Sequence, residues 1–383
     1  MFWDRCSMSV RRVVVLGITG SIGAAALKLL RRFPDRFLLV GASGHRQTEY
    51  ARALAREFSL SDITMTGSCS EQEGRARIKR LLSSCEAEVV VNGIAGAAGL
   101  FASLEVLKTR CTLALANKES VVLAASLLHA AARESGATIV PVDSEHAAIF
   151  QLIAAHGAHA VAQVVLTASG GPFRTFSKEC LAHVTVEDAL QHPTWRMGKK
   201  ISVDSATLAN KALEVIEAVQ FFRIPVDRVT VVVHPQSIVH ALVQCHSGET
   251  YAQLSVPDMA SPLLYALLYP DAPPAYQTPL DFTSGLSLHF EPPRVDDFPL
   301  LRMGFDVARA QRAYPIAFNA ANEEAVRAFL QRNIGFLDIA HVTAQALQED
   351  WRAIPQTFEE VMACDTRARM CARTCIAQRW RER

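Results

Sequence analysis

A chain of 383 residues is longer than one ordinary hydrophobic core organises, so two or three domains are expected. Half of the residues are hydrophobic and a fifth are charged, which is a soluble globular composition. With 39 basic against 38 acidic residues the formal net charge is +1, so no general electrostatic footprint for nucleic acid or an anionic membrane exists and any basic site must be local.

The N-terminal stretch MFWDRCSMSVRR has no long apolar run, which argues against a signal peptide, and no stretch of about twenty apolar residues is present to span a bilayer. Arg12–Leu16 (RVVVL) reads as a short buried strand that runs into GITGSIG, residues 17–23, and then a helix through Arg32. A glycine turn between strand and helix is the dinucleotide-binding arrangement, in which the backbone approaches a pyrophosphate and the helix N-terminus supplies N–H donors. The spacing is GxxGxxG rather than GxGxxG, and a plain tight turn is the alternative. Phe37–Ala42 reads as the second strand and ends at Ser43-Gly44-His45-Arg46, with no acid for a ribose hydroxyl. A basic pair there suits a 2′-phosphate and favours NADP over NAD; two ordinary surface residues are the other reading.

Helices are expected over Glu49–Phe58 and Glu71–Ser84, strands over Glu88–Asn92, Thr112–Ala116 and Thr138–Val142, and helices after Gly99 and at Asn117-Lys118-Glu119. This alternation argues a parallel, doubly wound sheet whose ligands lie at the carboxyl ends of the strands. At the last of these ends stands Asp143-Ser144-Glu145-His146. Two carboxylates two residues apart can grip a divalent cation, or Asp143 or Ser144 can simply cap the next helix. Lys118 suits an anionic substrate, or is a lysine at a helix start.

Past residue 150 the character changes. Val161–Thr167 is a strand followed by Ala168-Ser169-Gly170-Gly171-Pro172, a turn suited to a phosphate or an ordinary Gly–Pro turn. Gln191–Lys200 (QHPTWRMGKK) places Trp195 and Met197 among polar residues, as a mobile lid or a buried turn would. Ile201–Glu217 (ISVDSATLANKALEVIE) reads as a strand-like start, a capping turn at Asp204–Ser205, and a helix. On that helix Asn210, Lys211, Glu214 and Glu217 share an arc of about 120°. A solvated face with a Lys–Glu pair is the alternative, but the other faces are too apolar for a surface helix. Glu214 can join Asp143 and Glu145 in a three-carboxylate set, whose like charges would repel without a metal.

Val229–Val233, Ile238–Gln244 and Thr250–Leu254 read as strands of a sheet with an antiparallel component, hence an α+β second domain. Proline-dense sequence from Pro270 to Met303 reads as an extended connector, and helices follow from Phe305 to about Trp380 as a small bundle. The division expected is a Rossmann-type domain over 1–143, a catalytic domain over 144–270, a linker over 271–304 and a helical domain over 305–383. Nine cysteines without a secreted-scaffold spacing point to reduced thiols in a cytoplasmic protein, and Cys371 and Cys375, four apart, read as core or surface thiols rather than a zinc site.

Taken together, GITGSIG, NGIAGAAGL, ANKES, PVDSEHAAIFQ, TASGGPFR, HPTWRMGKKISVDSATLANKALEVIEA, HPQSIVHALV, PDM and NAANEEAV occur in an order that resembles the 1-deoxy-D-xylulose 5-phosphate reductoisomerase family across most of the chain. The resemblance implies a homodimeric NADPH enzyme of non-mevalonate isoprenoid biosynthesis. Thr19, Gly20, Ser21, Ile22, Gly44, His45 and Arg46 would hold NADPH, with Asn117, Glu119 and Gly198 also facing it. Asp143, Glu145 and Glu214 would ligate Mg²⁺ or Mn²⁺. Lys118, Ser144, Glu145, Ser169, His192, Ser205, Asn210, Lys211 and Glu214 would contact a small phosphorylated sugar, with the serines, Asn210 and Lys211 nearest its phosphate. Lys118, Asp143, Glu145, His192, Trp195 and Glu214 would carry the chemistry, Trp195 as the lid residue. Arg46 departs from the pattern, since relatives often have Asn there. The implied reaction is rearrangement to an aldehyde, by retro-aldol/aldol or ketol shift, followed by hydride reduction. A different NADP-dependent dehydrogenase would not need the carboxylate set, and a non-catalytic NADPH-binding regulator would have damaged metal or phosphate positions.

Overall fold

Val13 to Leu16 are wholly shielded from solvent and show no polar alternation, as in a strand covered on both faces. In the computed structural model, which describes residues 10–46, 49–195 and 197–381, they lie in β1 (Arg11–Leu16). The chain continues through α1 (Ser21–Arg32), β2 (Phe37–Gly44), α2 (Glu49–Glu57), β3 (Thr64–Met65), α3 (Glu71–Ser84), β4 (Val89–Asn92), α4 (Gly99–Leu107), β5 (Thr112–Leu115), α5 (Lys118–Ser135) and β6 (Thr138–Pro141). These strands form one six-stranded sheet in the order β3-β2-β1-β4-β5-β6, with every pairing parallel. The order reverses between β1 and β4, which is the crevice where doubly wound sheets take their ligands.

The second half runs α6 (Ser144–His156), β7 (Val161–Ala168), the short helices α7 (Lys178–Leu181) and α8 (Val186–Ala189), α9 (Lys199–Ala206), α10 (Ala209–Phe222), β8 (Val229–Val233), β9 (Val239–Cys245), β10 (Thr250–Leu254), α11 (Ala260–Leu268), α12 (Pro299–Ala310), α13 (Tyr314–Leu330), α14 (Phe336–Leu347) and α15 (Phe358–Arg381). Its four-stranded sheet has the order β10-β9-β7-β8, with β7–β8 parallel and the other pairs antiparallel. The architecture is therefore α/β plus α+β with a C-terminal helical region, in which α13 packs on both α14 and α15.

Contacts divide the chain into two compact units. The first comprises residues up to Asn117, Leu128–Asp143 and Asp258–Tyr276. The second comprises Lys118–Leu127, Ser144–Pro257 and Gln277 onward, so the C-terminal helices and the mixed sheet share one unit. Helix α5 contributes to both and leaves helical geometry at Ala124 (φ −152°, ψ 39°). In the first unit α11 packs on α1, β5 and β6, and its Leu263, Leu264 and Leu267 are buried.

Two local expectations need correction. Residues 201–206 are helical, not a strand start and a capping turn. The break lies at Leu208, in the left-handed region with φ 58°, which costs a non-glycine residue about 1 kcal/mol. The extended connector holds only from Tyr269 to Phe298, because α11 ends at Leu268 and α12 begins at Pro299, a favoured first helical position that fixes the required φ. Helix α11 itself was not anticipated from the sequence.

Candidate active site

In the first unit the turn after β1 is built from main chain. Gly17 has φ +80°, and a Cβ there would stand 2.8 Å from the Gly93 carbonyl oxygen of the neighbouring turn. A Cβ on Gly23 would meet the Ile18 carbonyl oxygen at 2.1 Å, so α1 can start this close to β1 only with glycine. Gly20 caps α1 without a side chain, and Thr19, Gly20 and Ser21 are exposed, leaving the helix N-terminal N–H groups open to an anion. Gly44 ends β2, followed by exposed His45 and Arg46 and no acid. Asn117 is buried and donates from Nδ2 to the Gly96 carbonyl at 3.0 Å, which holds the turn after β4.

In the second unit ionised groups are packed together. Lys211 donates to Glu145 Oε1 at 2.7 Å and to Glu214 Oε2. Lys118 donates to Glu214 Oε1 at 3.2 Å and to Asn210 Oδ1 at 2.9 Å, while Asn210 Nδ2 donates to Glu214 Oε1. Lys118, Lys211 and Glu214 are all buried. Burial pulls the Lys211 ammonium toward neutrality, but the Glu145 and Glu214 carboxylates outweigh it and its pKa is raised. Glu145 and Glu214 thus share an ammonium, which offsets the repulsion expected between these two carboxylates. Ser144 begins α6 and its hydroxyl bonds Glu145 Oε2; Asp143, half-buried, directly precedes it in the chain. Glu217, one turn along α10, faces a different partner, with His146 Nδ1 3.3 Å from its Oε2.

A second cluster gathers around the turn after β7. Gly171 has φ +69°, and a Cβ there would lie 2.7 Å from the Ser205 carbonyl oxygen, so this turn rests directly on the end of α9. Ser169 Oγ accepts from the Gly171 N–H at 3.2 Å and lies 2.9 Å from His192 Nε2. The Thr194 and Trp195 N–H groups both donate to His192 Nδ1, at 3.1 and 2.9 Å. Nε2 therefore carries the proton of the neutral ring and donates to Ser169, whose own hydroxyl hydrogen is left to point at a ligand. Burial lowers the His192 pKa to about 4. Trp195 is half-buried, with its ring 6.4 Å from that of His240.

Family models of the 1-deoxy-D-xylulose 5-phosphate reductoisomerase match residues 13–125, and models of its C-terminal domains match residues 139–222 and 254–371. A reductoisomerase of Treponema denticola is 50% identical over 376 residues, covering 97% of this chain and 99% of that protein. The chain belongs to the 1-deoxy-D-xylulose 5-phosphate reductoisomerase family. A second reductoisomerase, from Chlorobium chlorochromatii, is 43% identical over 96% of the chain and all of its own length. The solved structure of the Zymomonas mobilis reductoisomerase in complex with NADPH superposes with a TM-score of 0.86 at 38% identity, covering 96% of this chain and 99% of that one. Another reductoisomerase, in complex with NADPH, fosmidomycin and magnesium, has the same TM-score at 35% identity, covering 96% and 98%.

Within this reductoisomerase fold, the sequence-selected residues fall into the groups just described. Glu145, Lys118, Asn210, Lys211 and Glu214 share one hydrogen-bond network; Ser169, His192 and Ser205 gather at the β7 turn. Gly198, exposed, is the N-cap of α9. Glu119 accepts from Lys200 Nζ, whose distance to its Oε1 is 3.0 Å. Burial alone would raise the Glu119 pKa, but Lys200 and the backbone N–H hold it low. Four residues had no site role in the sequence reading. His146 is fully buried, its Nε2 3.2 Å from the Glu214 carbonyl, and it pairs with Glu217. His240 Nε2 is 3.0 Å from Ser255 Oγ, and burial lowers its pKa against the pull of Glu145. Lys200 and Asp204 form an ion pair at 2.9 Å. The only local signal for the last pair was the four-residue spacing, which reads as an ordinary helix-surface pair.

Proposed function

We infer that the chain catalyses the reaction of its family, the metal-dependent isomerisation of 1-deoxy-D-xylulose 5-phosphate and its NADPH-dependent reduction to 2-C-methyl-D-erythritol 4-phosphate. The observation that carries the site assignment is the shared ammonium. Glu145 and Glu214 present oxygens to one cationic nitrogen in a buried setting, so a position suited to positive charge already exists between hard oxygen donors. Asp143, Glu145 and Glu214 are the proposed ligands of Mg²⁺ or Mn²⁺. Once bound, the ion supplies Lewis-acid polarisation and a template for the ketone and its neighbouring hydroxyl, and NADPH supplies the hydride.

The chain's own groups do the rest. Thr19, Gly20, Ser21 and Ile22 offer backbone to the pyrophosphate, Gly44, His45 and Arg46 receive the 2′-phosphate, and Asn117, Glu119 and Gly198 complete the cofactor contacts. Ser169, Ser205, Asn210 and Lys211 grip the substrate phosphate, and this remote binding energy orients the reacting carbons. Ser144 and Lys118 lie along the sugar, with Lys118 balancing oxyanion character. Neutral His192 aligns the Ser169 hydroxyl by donating to it. The stretch carrying Trp195 covers the ligand and keeps water from the aldehyde.

The substrate is small and phosphorylated, and no helix among the described residues is long and apolar enough to cross a membrane. We further infer a homodimer, supported by exposed Phe282 and Phe290 and the free edge of β10 in the mixed sheet, and a cytoplasmic setting, supported by the free thiols. The deciding assay is NADPH oxidation with 1-deoxy-D-xylulose 5-phosphate, with and without Mn²⁺. Turnover that needs both substrate and metal is expected; turnover unaffected by a chelator would overturn the ligand assignment.

A further inference from the structure

Helix α9 has eight residues and a glycine N-cap with no side-chain hydrogen bond, and it packs on α10 and α13, with Val203 and Ala206 buried. One cation ties it to α5. Lys200 Nζ lies 3.0 Å from Glu119 Oε1 on α5 and 2.9 Å from Asp204 Oδ2 one turn ahead. The other Asp204 oxygen accepts from Asn322 Nδ2 on α13 at 2.7 Å. Asp204 is 1% exposed and Asn322 is fully buried, whereas Lys200 keeps 30% of its side chain in solvent. The chain Glu119–Lys200–Asp204–Asn322 thus joins three helices. Both of its carboxylates are sequence neighbours of proposed substrate contacts: Glu119 follows Lys118, and Asp204 precedes Ser205.

We propose that Lys200 is a positioning residue: by bridging Glu119 and Asp204 it sets the spacing between Lys118 and Ser205, and thereby the affinity of the site for the phosphorylated substrate. This rests on the assignment of Lys118 and Ser205 as substrate contacts. Lys118 also bonds Asn210 and Glu214, and the Ser205 carbonyl lies against the Gly171 turn beside Ser169, so a shift of α9 is felt at the phosphate end of the site. Burial pulls the Lys200 ammonium down, but Asp204, Glu119 and Glu323 outweigh it and keep it charged. Removing the cation leaves Asp204 buried with one partner fewer, and α9 must move to rehydrate it.

The test compares Lys200→Met, Lys200→Arg, Asn322→Ala and Ser205→Ala by steady-state kinetics, inhibition by inorganic phosphate, and melting temperature. For Lys200→Met the KM for 1-deoxy-D-xylulose 5-phosphate and the inhibition constant for phosphate are expected to rise about tenfold, with kcat reduced less than about threefold, since lost ground-state binding appears in KM. Lys200→Arg keeps the charge and restores KM to within about threefold of the parent. Asn322→Ala, which frees Asp204 while leaving its ion pair, shifts KM in the same direction by a smaller factor and carries the test if Lys200→Met does not fold. A lowered melting temperature with unchanged KM in both variants reduces Lys200 to a structural ion pair and overturns the proposal. Ser205→Ala separates the two levels: if it raises KM while the Lys200 and Asn322 variants do not, the positioning role fails and the site assignment stands; if Ser205→Ala leaves KM unchanged, the site assignment itself fails.

Discussion

The two compact units build their binding surfaces from different materials. In the first, the turn Gly17–Gly23 has no ionisable side chain, and its shape depends on atoms that are missing at Gly17 and Gly23. In the second, Lys118, Lys211, Glu214 and Glu217 are buried and held by one another or by His146. A site made of main chain tolerates changes of charge nearby but not added volume. A site made of buried charges does not tolerate the loss of one charge even where the shape is kept, because the remaining charges stay desolvated and unmatched.

The largest effect is expected from a change that alters charge without shape in the second unit. Glu214→Gln should lower kcat/KM by about 10³-fold or more, which corresponds to about 4 kcal/mol of transition-state stabilisation. It should also destabilise the metal-free protein by about 3 kcal/mol, since Lys118 and Lys211 lose a shared counter-charge. Calorimetry without metal checks the second part, and an unchanged melting temperature would contradict the shared-ammonium picture. The converse change adds volume without charge. Gly23→Ala ordinarily favours a helix by about 1 kcal/mol. Here its Cβ meets the Ile18 carbonyl, so a net loss of about 2 kcal/mol and a weakened NADPH Kd are expected. A more stable variant would break the contrast.

A subtler test uses pH. The folded-state pKa of His192 is about 4, below its ordinary 6.5, so the folded protein binds fewer protons at this ring than the unfolded chain between those values. The stability it contributes is complete above pH 6.5 and is lost as pH falls toward 4. Protonating Nδ1 also removes the acceptor used by the Thr194 and Trp195 N–H groups. Chemical denaturation across this window should show that loss, and His192→Gln should flatten it. The smallest effect is assigned to exposed Arg46. Arg46→Ala should weaken NADPH by no more than about tenfold, as befits a single solvent-facing charge, and leave NADH nearly unaffected. Equal losses for both nucleotides would remove the 2′-phosphate assignment.

This division of materials also explains what could be read in advance. The glycine turn, the alternating strands and helices, and the carboxylates at the end of β6 are local features, and β4, β5 and β6 end within one residue of where the pattern put them. The Ile201–Ala206 segment misled because its polar residues resemble a cap. Asp204 instead serves Lys200 and Asn322, and the latter is 118 positions away. Helix α11 (ASPLLYALL) is apolar almost all round, so it lacks the polar stripe by which a surface helix announces itself. The repulsion expected between Glu145 and Glu214 is offset by Lys211, which bridges them, and a bridge between residues 66 positions apart has no local signature. Single residues such as His146 and His240 carry no local pattern, and their significance comes entirely from what folds around them.

The position of α11 has a consequence for synthesis. The six strands of the parallel sheet are complete by Pro141, yet the helix that covers β5 and β6 lies at Ala260–Leu268, more than a hundred residues later. A nascent chain must therefore translate the whole mixed sheet before the first sheet receives its last covering helix. Until then β5 and β6 lack the packing that α11, with its buried Leu263, Leu264 and Leu267, supplies. A fragment stopped at Asp143 leaves the ribosome in that unfinished state, and aggregation of such a fragment, relieved by supplying Asp258–Tyr276 in trans, is its expected behaviour.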